Sequence, residues 1–285
     1  MKVFHRAADL QEYLRKRRTN NRSVGFVPTM GALHQGHLAL VERSREENQL
    51  TIVSIFVNPT QFNDPEDLQK YPRSPGKDIE LLAGVGCEVV FLPVVAEVYP
   101  SVAKETNPPL DFNGLDTVLE GEMRPGHFAG VADVVERLLR LTKPDRLYLG
   151  QKDYQQVAIV RSMIRQRNLP VEVCMAPIVR AKDGLALSSR NQRLQPEYRS
   201  HASNIYKHLN LLKVNLLNKG KNQTGLIRKT LDVLSEVPGC RPEYLSVIDP
   251  DSLEPLIDGS PVTGAVIVTA VWVGDVRLID NVIVQ

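Results

Sequence analysis

Two histidines three residues apart, His34 and His37, stand in "GFVPTMGALHQGHLALV" (25–41), where an apolar run gives way to helix-forming residues. That spacing permits a metal pair, a catalytic acid/base pair, or a seat for nucleotide phosphates. A catalytic zinc needs a third protein ligand, and no Cys, Asp or Glu stands in the same loop. Gly31 and Gly36 frame the pair and permit close backbone approach by a ligand. The helix that follows adds unpaired N–H groups and the positive end of its dipole. An imidazole can donate a hydrogen bond to negative charge developing on a phosphoryl oxygen. These residues favour the phosphate seat.

The elements that must position such a seat are short β-branched runs alternating with amphipathic helices. Strands are expected over 23–29, 50–57, 87–93, 145–150 and 171–178. Helices are expected from about 36 to 48, after the Ser74-Pro75 start signal, over 127–144, and in "DYQQVAIVRSMIRQRNL" (153–169). This alternation implies right-handed βαβ crossovers and a parallel sheet covered on both faces. The expected fold class is α/β, a Rossmann-like doubly wound sheet over 1–176. A smaller α+β domain is expected over 177–285, with helices near 196–218 and 223–236 and three strands close in sequence that suit antiparallel pairing. The stretch 94–126 carries Pro and Gly and fits no element, and the acidic loop 62–73 reads as a mobile cover or as plain surface.

Ligands of open α/β sheets bind beyond the carboxyl ends of the strands. After the first strand come Pro28, Thr29, Met30 and Gly31, then His34, Gly36 and His37; after that at 50–57, Asn58, Thr60 and Gln61. The strand at 145–150 is followed by Gly150, Gln151, Lys152 and Asp153, with Gln155 and Gln156 one turn into a helix. Beyond 171–178 lie Val179, Arg180, Lys182 and Asp183, then Ser188, Ser189 and Arg190. Each end is polar, and several residues are phosphate-binding types. Their convergence says more than any one motif.

Composition narrows the partners. The chain has 285 residues, 42% hydrophobic and 24% charged, with a formal net charge of +2. Such a balance is globular and offers no basic surface for nucleic acid. Cys87, Cys174 and Cys240 are odd in number and form no CxxC, which argues against a disulfide scaffold. The N-terminus reads as no secretory signal, and the apolar runs fall short of the about 20 residues that span a membrane. The expectation is a reduced, soluble, cytoplasmic protein without membrane or nucleic-acid partners.

"HxGH" opening a helix resembles the nucleotide-binding signature of class I aminoacyl-tRNA synthetases and related nucleotidylyltransferases. "LALSSRNQRL" stands where those enzymes carry a "KMSKS"-like loop, so Ser188, Ser189 and Arg190 fit a clamp on the β- and γ-phosphates. "FVPTMGALHQGHLALV", "IFVNPTQFNDPEDLQKYPR", "EGEMRPGHFAGVADVV", "PDRLYLGQKDYQQ" and "VRAKDGLALSSRN", in that order, together resemble the pantothenate synthetase family of pantoate–β-alanine ligases.

The resemblance implies an ATP-dependent, magnesium-requiring condensation of pantoate with β-alanine through pantoyl adenylate, in a homodimer. It makes Met30 to His37, Gly150 to Asp153, Val179 and Leu187 to Arg190 the ATP site. His37 is then a proton donor or a source of charge stabilisation, with His34 and Lys152 on the phosphates. Gln61 and Gln156 hold pantoate, Gln61 borders β-alanine, and Asn58 and Arg124 neighbour the site. No residue is assigned to the metal. Leu187 and Gln151 depart from the family's methionine and glutamate. A nucleotidylyltransferase that leaves the nucleotide on its product is the alternative enzyme. A nucleotide-binding protein without turnover, or an RNA-binding relative of the synthetases, is the alternative outside catalysis.

Overall fold

The run Val24-Gly25-Phe26-Val27 is fully buried, as a strand covered on both faces requires. In the computed structural model it lies inside a six-stranded sheet. The structure describes residues 1–18, 22–62, 65–100, 108–219 and 222–285. The chain divides into two compact units, Met1–Gly150 with Gln155–Ala176, and Gln151–Tyr154 with Pro177–Gln285. The four residues Gln151–Tyr154 thus group with the second unit, on the other side of a simple boundary at 176.

The first unit runs β1 (Lys2–Phe4), α1 (Ala7–Arg17), β2 (Val24–Thr29), α2 (Gln35–Glu47), β3 (Leu50–Ile55), α3 (Pro65–Lys70) and α4 (Pro75–Gly84). It continues β4 (Val89–Phe91), α5 (Val95–Val98), α6 (Glu120–Met123), α7 (His127–Thr142), β5 (Arg146–Gly150), α8 (Tyr154–Gln166) and β6 (Glu172–Ala176). The sheet order is β1-β4-β3-β2-β5-β6, and all its pairings are parallel. From β2 the chain builds outward through β3 and β4, then returns to add β5 and β6 on the other side. The order therefore reverses between β2 and β5, where an open sheet leaves a crevice beyond its carboxyl ends.

Details of β2 open that crevice. It pairs with β3 along its whole length but with β5 only at Gly25 and Phe26. Pro28, which has no N–H to give a ladder, falls beyond the last β2–β5 pair. Gly25 lets α2 lie close on the strand, since a Cβ there would meet Ser44 Oγ at 2.1 Å and Asn48 Nδ2 at 2.6 Å. Val27, Leu33, Leu38, Val41, Val53, Ile55 and Val90 pack together in the core beneath.

The second unit adds α9 (Pro196–Arg199), α10 (Ser203–Lys219), α11 (Gln223–Glu236), β7 (Cys240–Ile248), β8 (Val266–Val273) and β9 (Val276–Ile283). The three strands are antiparallel in the order β7-β8-β9. Ile205, Leu209 and Leu212 of α10 pack with Val247, Ile267 and Val271 of the sheet.

Three expectations need correction. The helix expected over 196–218 is two helices, because Ser203 Oγ donates to Ser200 O and Asn204 Nδ2 donates to His201 O, competing with the helical pattern. The loop 62–73 contains α3, while residues 63 and 64 lie outside the described residues. The stretch 94–126 holds the single-turn helices α5 and α6, with residues 101–107 also outside them. β1 has three residues, too few to show a period. All three cysteines are free and buried, and no described helix is long and apolar enough to cross a membrane.

Candidate active site

His34 is the N-cap of α2, with extended backbone at φ −140°. Its Nδ1 accepts from Gly36 N at 3.1 Å, and His37 Nδ1 accepts from His34 N at 3.3 Å. Each imidazole thus fills the role that serine and glutamate play in an ordinary capping box. The two rings lie 4.1 Å apart between centroids. A ring nitrogen that accepts carries no proton, so each neutral ring holds its hydrogen on Nε2. The pair is thereby set as two Nε2–H donors at a helix N-terminus, which is what a phosphoryl oxygen requires.

The turn before them is anchored from α4. Asp78, 1% exposed, accepts from Ala32 N at 3.0 Å and from Leu33 N at 2.8 Å. Gly31 and Ala32 both have left-handed backbone, at φ +80° and +50°. A Cβ on Gly31 would sit 3.0 Å from Asp78 Oδ2 and 3.2 Å from Ile55 Cγ2. Leu33 packs into the core, so its side chain is committed to the fold. Gln35 is exposed, while Met30, His34, Gly36 and His37 are half-buried.

A second cluster of the same unit gathers Met30, Asn58, Gln61 and Arg124. Gln61 is buried and donates from Nε2 to Met30 Sδ at 2.9 Å. Asn58, 1% exposed, caps the 3₁₀ turn Pro59–Gln61. Its Oδ1 accepts from the Tyr99 hydroxyl at 2.9 Å, and its Nδ2 donates to Gln61 Oε1 at 3.3 Å and Gly130 O at 3.2 Å. Burial pushes the Tyr99 hydroxyl up to about 12, keeping it protonated as that donor. Both ends of the Asn58 carboxamide are therefore engaged by protein, which suits holding Gln61 in place.

His127 joins the remaining pair. Its Nδ1 lies 2.7 Å from Gln61 O, and its Nε2 lies 3.3 Å from Arg124 Nη1. A carbonyl only accepts and a guanidinium only donates, so the network assigns the proton to Nδ1. His127 is the tie between Arg124 and the Gln61 turn. Gln156 stands half-buried on the first turn of α8 and makes no hydrogen bond to Asn58 or Gln61. Its neighbour Gln155 is buried, with Nε2 donating to Leu115 O and Val118 O at 2.7 Å each. Gln155 braces a loop, which separates two glutamines the sequence presents alike.

In the second unit the remaining candidates collect around β9. The 3₁₀ turns Gln151–Asp153 and Ser189–Arg193 both pack against that strand. Asn281 of β9 donates from Nδ2 to the carbonyls of Gln151 and Lys152, both at 2.9 Å, and its Oδ1 accepts from Gln151 Nε2 at 3.0 Å. The Lys152 side chain is 17% exposed, with Asp153 Oδ1 3.4 Å from its Nζ. A tight hairpin runs from Val179 to Leu187, closed by Leu187 N donating to Val179 O at 3.0 Å and Ala181 N to Leu185 O at 2.8 Å. It delivers Ser188, whose Oγ accepts from Arg190 N at 3.2 Å. Arg180 forms a bidentate pair with Asp280 at 2.7 and 2.8 Å and stacks on Tyr206. Burial raises the Asp280 carboxyl above its ordinary value, against the pull of Arg180 and a weaker one from Lys152.

Among the described residues no group of three His, Cys, Asp or Glu side chains is placed to hold a metal. The sequence singles out neither Asp78 nor Asn281. The available signals were a carboxylate in the first turn of a helix and an Asp-Asn pair inside the apolar run "LIDNVIV".

Known proteins give the site its context. A pantothenate synthetase from Bacteroides fragilis is 44% identical over 282 residues, covering 99% of this chain and 98% of its own length. The crystal structure of the pantothenate synthetase from Thermus thermophilus superposes with a TM-score of 0.90 at 43% identity, covering 100% of both chains. A pantoate–β-alanine ligase from Francisella tularensis, crystallised with β-γ ATP and β-alanine, covers 97% of its own length and 99% of this chain at 35% identity and a TM-score of 0.77. A model of the family described as pantoate-beta-alanine ligase matches residues 2–283, and on that span the chain belongs to the pantoate–β-alanine ligase family.

Proposed function

We propose that this chain condenses (R)-pantoate with β-alanine to pantothenate, using ATP. The pantoate carboxylate attacks the α-phosphate of ATP, giving pantoyl adenylate and pyrophosphate. The β-alanine amine then attacks the activated acyl carbon and displaces AMP. The observation that carries this reading is the capping box of His34 and His37, set in a chain that matches the ligase family from end to end. It supplies two oriented Nε2–H donors and a helix N-terminus where negative charge grows in the first step.

ATP is held by Met30 to His37, by Gly150 to Asp153, and by Val179 and Leu187 to Arg190. His37 stabilises charge at the α-phosphate from Nε2–H, His34 assists, and Lys152 is a point charge on the leaving phosphates. In the segment before His34 the turn of Gly31, Ala32 and Leu33 offers its carbonyl edge, because Leu33 packs inward and Asp78 takes the N–H groups of Ala32 and Leu33. Gln61 and Gln156 bind pantoate with amides that both donate and accept. Asn58, and Arg124 through His127, keep Gln61 in register. Positioning and charge stabilisation suffice for both steps, with no covalent enzyme intermediate.

Magnesium enters with ATP. Such an ion keeps several waters and uses one or two carboxylates beside phosphate oxygens. The enzyme works as a cytoplasmic homodimer without a nucleic-acid partner, which light scattering of the purified protein will check for the dimer. The decisive assay couples AMP release to ATP, magnesium, pantoate and β-alanine, omitting each in turn. AMP is expected only with all four. AMP formation indifferent to β-alanine would sink the ligase reading.

A further inference from the structure

One buried polar network in the second unit ties together segments far apart in sequence, and the chemistry above leaves it without a role. Asn281 is 2% exposed and Asp280 4% exposed, adjacent on a strand whose one other polar residue is Arg277. Burying an amide and a carboxylate is costly unless every polar atom is satisfied. Here they are satisfied with unusual economy. The Asn281 Nδ2 donates to two successive carbonyls, those of Gln151 and Lys152, and its Oδ1 accepts from the Gln151 side chain. Its backbone N–H donates to Asp280 Oδ1 at 2.8 Å. Asp280 in turn takes both arms of Arg180, which also donates to Gly184 O at 3.1 Å and Asn281 O at 3.3 Å. The guanidinium lies 3.6 Å over the Tyr206 ring, and Gly184, at φ +91°, leaves room that a Cβ would close against Tyr206 Cδ1 at 2.7 Å.

The network therefore grips both phosphate-handling segments of this unit. At one end Asn281 fixes the backbone of Lys152; at the other Arg180 fixes the hairpin that leads into Ser188, Ser189 and Arg190. We propose that Asn281, braced by the Asp280–Arg180 pair, is a positioning residue that sets the Lys152 ammonium for adenylate formation. The proposal rests on the reading of Lys152 as a phosphate contact. A small displacement of that point charge weakens a step that depends on placement, and an Asn281 side chain without its donors leaves two carbonyls to drift.

The test is a double-mutant cycle on pantoate-dependent exchange of labelled pyrophosphate into ATP, run without β-alanine so that only the first step is read. The variants are Lys152→Ala, Asn281→Ala and the double mutant, with circular dichroism as the check on folding. Asn281→Ala is expected to slow exchange at least tenfold in the wild-type background and less than twofold in Lys152→Ala. Equal fractional losses in both backgrounds would show a general structural role and overturn the proposal, as would wild-type exchange by Asn281→Ala. If Lys152→Ala itself exchanges at the wild-type rate, the reading of Lys152 fails first and takes this proposal with it. If Asn281→Ala does not fold, the cycle is repeated with Asn281→Asp, which keeps the shape and removes the donors, and the same outcomes decide.

Discussion

In the first unit the Asp78 carboxylate accepts the N–H groups of Ala32 and Leu33; in the second the Asn281 carboxamide donates to the carbonyls of Gln151 and Lys152. Each buried side chain pins two consecutive peptide groups of a turn proposed to meet ATP. The chemistry is opposite because the turns differ. The first bends through left-handed backbone at Gly31 and Ala32, which costs about 1 kcal/mol or more at a residue with a Cβ, and presents N–H groups inward. A charged acceptor offsets that strain better than a neutral one. The second is a 3₁₀ turn without left-handed backbone, and a neutral amide holds it. A strained turn calls for an ionic anchor, and a relaxed turn does with an amide.

The sharpest way to break this pairing is to remove the groups the two turns deliver. His37→Ala in the first unit and Lys152→Ala in the second should each lower turnover by roughly 10²–10³, the usual cost of losing one stabiliser of developing charge. Melting temperatures should stay within a few degrees of wild type, since neither side chain is in the core. Near wild-type turnover in both variants would remove the phosphate-seat argument for both units.

Next in size are the anchors. Asp78→Asn puts an amide where two N–H groups need acceptors, leaving at least one buried donor unpaired and removing the charge. The expected loss is about 2–4 kcal/mol of stability, seen as a fall in melting temperature of roughly 5–15 °C. Asn281→Ala should cost less, because the turn it holds stores no left-handed strain. Equal losses in thermal melts would dissolve the distinction between strained and relaxed turns.

How much of this was legible follows the same divide. Apolar runs and turn residues suffice to place β2, β3 and β5 in a parallel sheet, because burial on two faces imprints directly on residue type; the strand order that reverses between β2 and β5 is read from the structure. β1 escaped because three residues carry no period, and the break between α9 and α10 escaped because it rests on Ser203 and Asn204 bonding backbone locally. At the site, the contiguous segment from Met30 to His37 is readable since its capping chemistry lies within three residues. Asp78, His127 and Asn281 act across 45, 66 and about 130 positions, and no spacing rule connects such partners. Asp78 was further masked, since a carboxylate in a helix's first turn already has a local reason to be there.

A smaller effect separates the substrates within the first unit. Gly130 in α7 lets the helix approach the Gln61 turn, for a Cβ would lie 2.4 Å from Thr60 O and 3.0 Å from Gln61 Cα. Gly130→Ala should gain helix propensity, by about 1 kcal/mol, yet push that turn away and drag Gln61 from its place. The KM for pantoate should rise about tenfold while that for ATP stays within twofold, because the His34–His37 box is held independently. An unchanged KM for pantoate would sever Gln61 from pantoate binding.

The smallest effect is one of rate and compares the units directly. Cys87 and Cys174 lie in the first unit and Cys240 in the second, all buried. Burial raises all three thiols, and it pushes Cys87 furthest, up to about 12. The thiolate is the reactive form. A thiol titrating near 12 is ionised only to roughly one part in 10⁴ at pH 8, and Cys87 is also the least accessible of the three, at 2% exposed against 7% and 8%. Alkylation of the native protein with iodoacetamide at pH 8, followed by peptide mass spectrometry, should therefore label Cys87 last. The sign with pH is fixed: labelling at each site accelerates as pH rises, because deprotonation supplies the nucleophile. The order of Cys174 and Cys240 then reports which unit opens more readily, since their exposures are close and both thiols shift the same way. Earlier labelling of Cys240 would mark the unit with the amide-held turn as the more open one, and earlier labelling of Cys174 would place the looser packing in the sheet that carries the strained turn.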